Sequence, residues 1–267
     1  MVRKEVVNHM RISAVGYLNA APLCWGLRAG LHPGDWTVSF DKPSACAAKL
    51  LSGGADVGLV PAATLAMDEG LVVAAPFGVA AAGEVTSVLL VFGGAVENVR
   101  EVLLDPSSRT SQALSRVILE RSEGLSPSYA KWRELPVSLR EDQALLVIGD
   151  QALELPEPLK SHNRMDLAKR WADETGLPFV FAVWAARNRN VADEARPVLQ
   201  SSYDYGKERI GEIARDYAGR SGFGVKAAED YLTRHLHYNL GEPELKALGL
   251  FLRYAFGKEI DVERLCR

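Results

Sequence analysis

Apolar and polar residues alternate in short blocks along the N-terminal third of the chain. Three blocks have the length and spacing of β-strands: Ile12–Val15, Trp36–Asp41 and Val57–Val60. Helices are predicted between them: one near Pro22–Arg28, where Pro22 suits a first turn, and one over "KPSACAAKLLSGG", where Ser44 is a candidate N-cap and Gly53 and Gly54 form a stop. Alternating strands and helices predict an α/β sheet of mostly parallel strands.

The alternation begins again with "TSVLLVFGG", residues 86–94, which has a strong β pattern. Further strands are predicted to end at Asp105 and Asp150, and "PFVFAVWAAR" is another long strand. Helices are predicted over "PSSRTSQALSRVILERS" and over "MDLAKRWADETG", with Gly176 as the C-cap of the latter. From Asp193 onward apolar residues recur at i, i+3 and i+4, so nearly all of the rest of the chain is predicted to be helical.

Two α/β units joined by two long strands predict two lobes around a cleft, with hinge motion between them. Because the chain crosses into the second lobe and returns, the first lobe is discontinuous. The pattern predicts residues 10–90 plus 185–267 as lobe I and 91–184 as lobe II, with residues 1–9 as a loose leader.

Composition narrows the classes of function. The 267 residues carry a formal net charge of −3, so no basic footprint for nucleic acid is indicated. No run approaches the roughly 18 apolar residues of a membrane span, and the N-terminus lacks a secretory signal, so a cytoplasmic protein with no membrane partner is expected. Cys24, Cys46 and Cys266 are scattered and odd in number, which argues against a disulfide framework. The sequence leaves the oligomeric state open.

The stretch "LLDPSSRTSQAL" is the most informative for chemistry. Ser107, Ser108, Thr110 and Ser111 cluster at the predicted start of a helix, with Arg109 among them. A helix N-terminus offers unpaired N–H groups and the positive end of the dipole, and neighbouring hydroxyls extend that donor set. One hydroxyl would be a plain cap. Four within five residues exceed that need and favour a site for a carboxylate or phosphate.

Other polar positions are weaker when each is taken alone. Thr86 and Ser87 are explained by a position at the edge of a strand. Asp150 is explained as the N-cap of the following turn, although it also ends a strand, and strand ends are where open α/β sheets bind ligands. His235 and His237 lie two apart on a predicted helix, which points them away from a shared metal ion. Phosphate-binding loops, dinucleotide fingerprints and nucleophile elbows are absent from the sequence.

Six stretches occur in order along the chain and carry a resemblance to a known family: "VGYLNAAPL", "PSACAAKLLSGGADVGLVPAATL", "TSVLLV", "LDPSSRTSQAL", "VIGDQAL" and "TGLPFVFAVWAAR". With the helical ending "YLTRHLHYNLGEPELKALGLFLRYA", they resemble the chorismate dehydratases of the futalosine route to menaquinone. The resemblance runs from about Arg11 to the end of the chain. It implies a type II periplasmic-binding-protein-like fold, with two α/β lobes around a ligand cleft and a helical C-terminal tail.

The resemblance also implies a reaction. The family removes water from chorismate to give 3-[(1-carboxyvinyl)oxy]benzoate, with neither a metal ion nor an organic cofactor. The Asn of its Tyr-Leu-Asn motif is Asn19, and the Ser of its Thr/Arg-Ser-Val strand is Ser87, so these two are the expected catalytic pair. The expected substrate-binding residues are the following: Tyr17, Thr86, Ser107, Ser108, Arg109, Thr110, Ser111 and Asp150.

The chain departs from the family pattern at two places. Gly16 replaces the usual Ser before Tyr17, and Ala20 replaces the usual Thr after Asn19. Each change removes a hydroxyl beside the expected cleft. The proposed catalytic pair is retained.

No His, Lys or Glu occupies the mapped positions, and asparagine and serine are poor bases. A stepwise elimination through a carbanion is therefore expected, with Asn19 and Ser87 orienting the substrate and donating hydrogen bonds. The proton acceptor is either the enolpyruvyl carboxylate of the substrate or Asp150.

Two other functions fit parts of the sequence. A non-catalytic binding protein for a small aromatic or dicarboxylate ligand would have the same two lobes and the same hydroxyl-rich loop at residues 107–111, since fold alone does not give function. The sister family that makes dihydroxynaphthoate relies on a catalytic histidine in its cleft. His162 is the one histidine here to check against that role.

Overall fold

A computed structural model describes residues 9–259 of the chain, which form two β-sheets with helices packed against them. The strands, in chain order, are β1 (Arg11–Val15), β2 (Thr37–Asp41), β3 (Val57–Pro61), β4 (Val72–Ala81), β5 (Val88–Phe92), β6 (Glu101–Leu104), β7 (Ser128–Lys131), β8 (Gln143–Ile148), β9 (Asn163–Asp166), β10 (Phe179–Ala186) and β11 (His237–Asn239).

The two sheets combine parallel and antiparallel pairs. The first sheet has the order β11-β4-β10-β3-β1-β2, in which β1 runs parallel to β2 and β3, while β10 runs antiparallel to β3 and β4. The second sheet has the order β7-β6-β8-β5-β9, in which β6 runs parallel to β7 and β8, while β5 runs antiparallel to β8 and β9. The predicted α/β class is confirmed, but the prediction of mostly parallel strands is wrong, because five of the nine strand pairs among the described residues are antiparallel.

Ten α-helical segments lie within the described residues: α1 (Ala21–Arg28), α2 (Pro43–Ser52), α3 (Arg109–Arg116), α4 (Asp150–Leu153), α5 (Glu157–Lys160), α6 (Leu167–Thr175), α7 (Arg189–Lys207), α8 (Ile210–Ala218), α9 (Val225–Asp230) and α10 (Glu242–Phe256). Two π-helical turns, Val117–Ser122 and Tyr231–His235, continue α3 and α9. Short 3-10 turns at Leu18–Ala20 and Ala62–Ala66 follow β1 and β3. None of the described helices is long and apolar enough to cross a membrane.

Most local predictions in the N-terminal third are confirmed. Pro22 lies in the first turn of α1, and Gly53 ends α2 with a left-handed φ of 77°. The N-cap predicted at Ser44 is wrong, because α2 already begins at Pro43, with Lys42 as its N-cap. Proline suits this first position since its missing N–H would be unpaired there in any case.

The C-terminal region is nearly all helical, as predicted, but the segment predicted as one helix around His235 and His237 is not. The short strand β11 interrupts the helices and pairs with the edge strand β4. His235 therefore ends a π-helical turn while His237 lies on a strand, where its Nε2 meets Glu244 Oε1 at 3.0 Å. The two histidines do not share a helix.

The lobe boundaries drawn from the sequence, 90/91 and 184/185, both fall inside strands. The whole of β5 pairs within the second sheet and the whole of β10 within the first. We therefore propose that the chain crosses between the lobes within residues 82–87 and 176–178. The leader predicted for residues 1–9 lies almost wholly outside the described residues, as does Cys266.

Candidate active site

A narrow cavity lies between the two sheets and takes its walls from both lobes. Its polar side chains are Tyr17, Asn19, Ser87, Ser108 and Ser111, and its remaining lining is mostly apolar. The cavity has a volume of about 40 Å³, whereas small-molecule pockets usually measure roughly 300–1,000 Å³. The described conformation is therefore closed, and a ligand of ordinary size enters only when the lobes separate.

The first wall comes from the end of β1 and the 3-10 turn behind it. The turn begins directly after Tyr17, whose extended backbone is its N-cap, and α1 follows immediately. This places Asn19 against the cavity, with its side-chain oxygen Oδ1 buried and without a hydrogen-bond partner. Since buried polar atoms are nearly always paired, this oxygen is open to a hydrogen bond from a ligand in the cavity.

The second wall begins at Ser87, one residue before β5. The backbone of Thr86 adopts a φ of 61°, which makes it the one non-glycine residue with positive φ among those described. For a β-branched residue this conformation is strained, and it requires support from its surroundings. Asp166 gives that support, because its Oδ2 accepts the N–H groups of Val85 at 2.9 Å and Thr86 at 2.6 Å.

Ser87 is held by two hydrogen bonds of its own and by the sheet pairing of its neighbour Val88. Its backbone oxygen accepts the N–H of Gly149 at 2.8 Å, and Val88 pairs with Ile148 in the sheet. Its hydroxyl oxygen accepts a hydrogen bond of 2.7 Å from the hydroxyl of Tyr231, which arrives from the C-terminal region. Only 1% of Ser87 is exposed to solvent, and it lines the cavity.

The hydroxyl groups of the serine-rich loop, residues 107–111, make different contacts. Ser108 caps α3 by accepting the backbone N–H of Ser111 at 3.3 Å, and the two hydroxyls lie 3.2 Å apart on the cavity wall. Ser107 turns back to Asp105, whose Oδ1 accepts both its backbone N–H and its hydroxyl. The structure thus places one pair of hydroxyls and the start of a helix at the cavity.

Like Ser107, two further predicted site residues of this loop lie outside the cavity lining. Thr110 accepts the backbone N–H of Ala63 at 3.0 Å and is fully buried, so it bridges the lobes and does not line the cavity. Arg109 points away from the cavity into an outer groove between α3 and α10, where its guanidinium contacts the sulfur of Met67 at 2.7 Å.

Asp150 also lies beside the cavity and not on its lining. Its Oδ1 accepts the backbone N–H of Leu18 at 3.2 Å, across the boundary between the lobes. Burial raises the pKa of this carboxyl group to about 6, and the neighbouring Glu154 adds to the effect while the hydrogen bond from Leu18 opposes it. Gly149, just before it, does line the cavity and has a φ of 61° that brings its backbone against the ring of Tyr17.

Besides Gly222, which donates to Glu154 Oε2 at 3.1 Å, three backbone N–H groups of the first lobe donate to the second lobe. Leu18 donates to Asp150, Ser44 donates to the backbone oxygen of Ser107 at 3.0 Å, and Ala63 donates to Thr110. Each of these three donors lies in a 3-10 turn or at the start of a helix, where N–H groups have no partner of their own. These contacts close the cavity.

Histidine is absent from the lining of the cavity. His162 comes just before β9 and next to the Asn163–Phe92 pair, at the opposite end of that strand from Asp166. Within residues 9–259 no group of three His, Cys, Asp or Glu side chains is arranged to hold a metal ion.

Sequence reasoning missed Tyr231 and Asp166. Tyr231 contacts Ser87 from 144 residues away, and Asp166 contacts Thr86 from 80 residues away. Asp166 carried one local signal, because it stands immediately before a helical pattern. Its Oδ1 does cap α6 by accepting the N–H groups of Ala168 and Lys169.

Comparisons with known proteins give a family and a fold. A family model described as "Menaquinone biosynthesis" matches residues 10–257. The chorismate dehydratase of Thermus thermophilus is 31% identical over 252 residues, which cover 88% of this chain and 91% of that protein. The chorismate dehydratase of Campylobacter jejuni is 27% identical over 152 residues, which cover 56% of each.

Solved structures of low sequence identity share the architecture. Protein AF1704 from Archaeoglobus fulgidus matches 94% of this chain and 98% of its own, with a TM-score of 0.73 and 14% identity. The periplasmic aliphatic sulphonate binding protein SsuA from Escherichia coli matches 98% of this chain and 92% of its own, with a TM-score of 0.64 and 14% identity. The periplasmic-binding-protein-like fold expected from the sequence is confirmed.

Proposed function

The chain belongs to the menaquinone biosynthesis family, and on that premise we propose that it is a chorismate dehydratase, a hydro-lyase that converts chorismate to 3-[(1-carboxyvinyl)oxy]benzoate. The observation that carries this function is the 31% identity to a chorismate dehydratase along nearly the whole chain. The closed cavity, with the amide of Asn19 and the hydroxyl of Ser87 on its walls, supports it.

The reaction removes the proton from ring carbon C3 and the hydroxyl group from C4. In the stepwise route, the proton leaves first and negative charge spreads through the neighbouring double bond to the ring carboxylate. The C4–O bond then breaks, the hydroxide takes the proton, and the ring becomes aromatic. A protein that catalyses this needs to hold two carboxylates and stabilise the charge that develops on one of them.

We assign the carboxylate contacts to the start of α3. The hydroxyls of Ser108 and Ser111 lie there on the cavity wall, beside the positive end of the helix dipole. Thr110 and Arg109 are not part of this assignment, since their side chains face Ala63 and the outer groove.

Asn19 and Ser87 are assigned to the reacting part of the ring. The unpaired oxygen of Asn19 is proposed to accept a hydrogen bond from the C4 hydroxyl group and so to orient it. Ser87 is proposed to donate a hydrogen bond to the charge that develops after C3 loses its proton. Such a donor acts mainly on the transition state, so it affects kcat more than binding.

The base is assigned to the substrate's own enolpyruvyl carboxylate. This group is attached through oxygen to C3 itself, so it reaches the C3 proton without help from a side chain. Asp150, the alternative, accepts the N–H of Leu18 and is not part of the cavity lining. We therefore propose that Asp150 holds the lobes together and takes no proton from the substrate.

The other two functions receive less support. The sister synthase requires a histidine in the cleft, and the described lining contains none. A binding protein without chemistry shares the fold, so only an assay separates it from an enzyme. The cytoplasmic location stays a prediction, which the free thiols of Cys24 and Cys46 support.

The test is steady-state turnover of chorismate by the full chain and three variants. Ser87→Ala is expected to lower kcat by about 100-fold, the usual effect of losing one donor to developing charge. Asn19→Ala is expected to lower kcat as well, whereas Ser115→Ala, a buried serine of α3 outside the cavity lining, should not. Unchanged kinetics in both site variants would contradict the assignment of Asn19 and Ser87. Binding of chorismate by the wild-type chain without conversion would indicate a non-catalytic binding protein.

A further inference from the structure

The hydroxyl of Tyr231 is the one side-chain group bonded to the hydroxyl of Ser87 among the described residues. It lies 2.7 Å from Ser87 Oγ, and Tyr231 is 2% exposed. Tyr231 opens the π-helical turn behind α9, so it belongs to the first lobe's C-terminal region, whereas Ser87 leads into the second lobe. The contact lies where the chain crosses between the lobes.

The direction of this hydrogen bond follows from the surroundings. The Tyr231 hydroxyl has no second hydrogen-bond partner among the described residues. If it accepted a hydrogen bond from Ser87, its own hydrogen would be buried without an acceptor, which is costly. Tyr231 therefore donates, and Ser87 accepts through a lone pair of its oxygen.

This direction decides what Ser87 can offer a ligand. A serine hydroxyl has one hydrogen and two lone pairs. Because Tyr231 uses a lone pair, the Ser87 hydrogen remains for the cavity that Ser87 lines. A hydroxyl that accepts one hydrogen bond also becomes a stronger donor in the next, since hydrogen bonds in a chain polarise one another.

We propose that Tyr231 is a positioning residue for the dehydration, which fixes the Ser87 hydroxyl as a hydrogen-bond donor aimed at the substrate. The inference rests on the proposed function, because it acts through Ser87. Tyr231 does not touch the cavity itself and is not a catalytic residue. The hydrogen bond from Tyr231 acts on the step in which negative charge develops on the substrate. Its loss should therefore lower kcat and leave KM nearly unchanged.

The chain offers a matched control in Tyr238. This tyrosine is also buried, lies seven residues further on in β11, and its hydroxyl has no hydrogen-bond partner in the described structure. Removing the Tyr238 hydroxyl takes away no bond, while the ring remains in the core. Tyr231→Phe and Tyr238→Phe thus differ mainly in the loss of one hydrogen bond to Ser87.

The test is a double-mutant cycle on kcat with Tyr231→Phe, Ser87→Ala and the double variant, beside Tyr238→Phe. Tyr231→Phe is expected to lower kcat roughly tenfold, in line with the loss of one hydrogen bond, and Tyr238→Phe to leave kcat unchanged. In the Ser87→Ala background, Tyr231→Phe should cost nothing more, because its partner is already gone. A merely structural tyrosine would lower kcat by the same factor in both backgrounds, and that result overturns the proposal.

A second readout covers the case in which Ser87→Ala is too slow to measure. The same cycle is then run on the single-turnover rate constant, measured with the protein in excess over chorismate. Coupling between the two substitutions supports the proposal, and additive effects contradict it. Failure of the wild-type chain to convert chorismate would overturn the proposed function, whereas conversion by the wild-type chain with equal effects of Tyr231→Phe in both backgrounds would overturn the role of Tyr231 alone.

Discussion

Asp150 carries a carboxyl group that is more easily protonated in the folded protein than in the unfolded chain. Burial raises its pKa to about 6 from an ordinary value of 3.8. Between these two pH values the folded state keeps a proton that the unfolded chain has released. The free energy of unfolding therefore falls as pH rises through this window, by roughly 1–3 kcal/mol, and the lower stability persists above it.

Asp150→Asn is expected to remove this part of the pH dependence. The amide stays neutral and its oxygen still accepts the N–H of Leu18, so the variant should be at least as stable as the wild type near pH 7.5. Urea unfolding at pH 4.5 and 7.5 measures the difference, with Asp35→Asn, an exposed carboxyl, as the control.

The same variant tests the assignment of the base. If the substrate's carboxylate takes the proton, Asp150→Asn should keep kcat within a few-fold of the wild type. Abolished turnover in a folded Asp150→Asn protein would make Asp150 the base instead.

At the scale of elements, α1 and α7 approach each other unusually closely, and this contact supports the wall that carries Asn19. A Cβ on Gly26 would collide with the backbone of Ser202, and one on Gly206 would collide with the backbone of Pro22. Ser202 also joins the helices, because its hydroxyl donates to Leu23 at 2.8 Å and accepts the N–H of Leu27 at 3.0 Å.

Gly26→Ala should push α1 away from α7 and destabilise the protein by about 1–3 kcal/mol, the usual cost of overpacking. Because α1 follows directly on the turn that holds Asn19, turnover should fall as well. Urea unfolding and a chorismate assay check both effects. Gly34→Ala is the control, since a Cβ there meets nothing within 4 Å; equal stability of the two variants would contradict the argument.

The sequence predicted elements well where the pattern was local. The strands of the N-terminal third and the left-handed ends at Gly53 and Gly176 follow from apolar spacing and glycine alone. It missed β11, although Leu236, Tyr238 and Leu240 alternate as buried residues of a strand do, because helical periodicity on both sides dominated the pattern.

The site was harder to predict for two reasons. Some side chains of one loop face away from the cavity, and one contact joins residues that lie far apart in the sequence. Ser108 and Ser111 lie three residues apart and share a helix face, while Arg109 and Thr110 between them turn elsewhere, which helix geometry alone could have indicated. The Tyr231–Ser87 bond spans 144 residues and leaves no local signal, so only the fold reveals it.

At the scale of the whole molecule, closure of the lobes depends on few hydrogen bonds. The bond from Ala63 to Thr110 is one of four in the described structure in which a first-lobe backbone N–H donates to the second lobe. When the lobes separate, water can replace each lost partner. Loss of a single hydrogen-bond acceptor between the lobes should therefore shift the equilibrium toward the open form.

Thr110→Val keeps the shape of the side chain and removes the acceptor. The N–H of Ala63 is then unpaired in the closed form, which costs about 1–3 kcal/mol, so KM for chorismate should rise roughly tenfold or more. Small-angle scattering should show a larger radius of gyration in Thr110→Val than in Thr37→Val, an exposed control on β2. Identical scattering and KM in the two variants would contradict this role.

The most direct measurement of the central claim uses chorismate that carries deuterium at C3. The wild-type chain should convert it to 3-[(1-carboxyvinyl)oxy]benzoate, seen by mass as the loss of one water that contains the label, and by NMR as an aromatic ring without deuterium. Recovery of unchanged chorismate at protein concentrations equal to that of the substrate would contradict the assignment of a dehydratase.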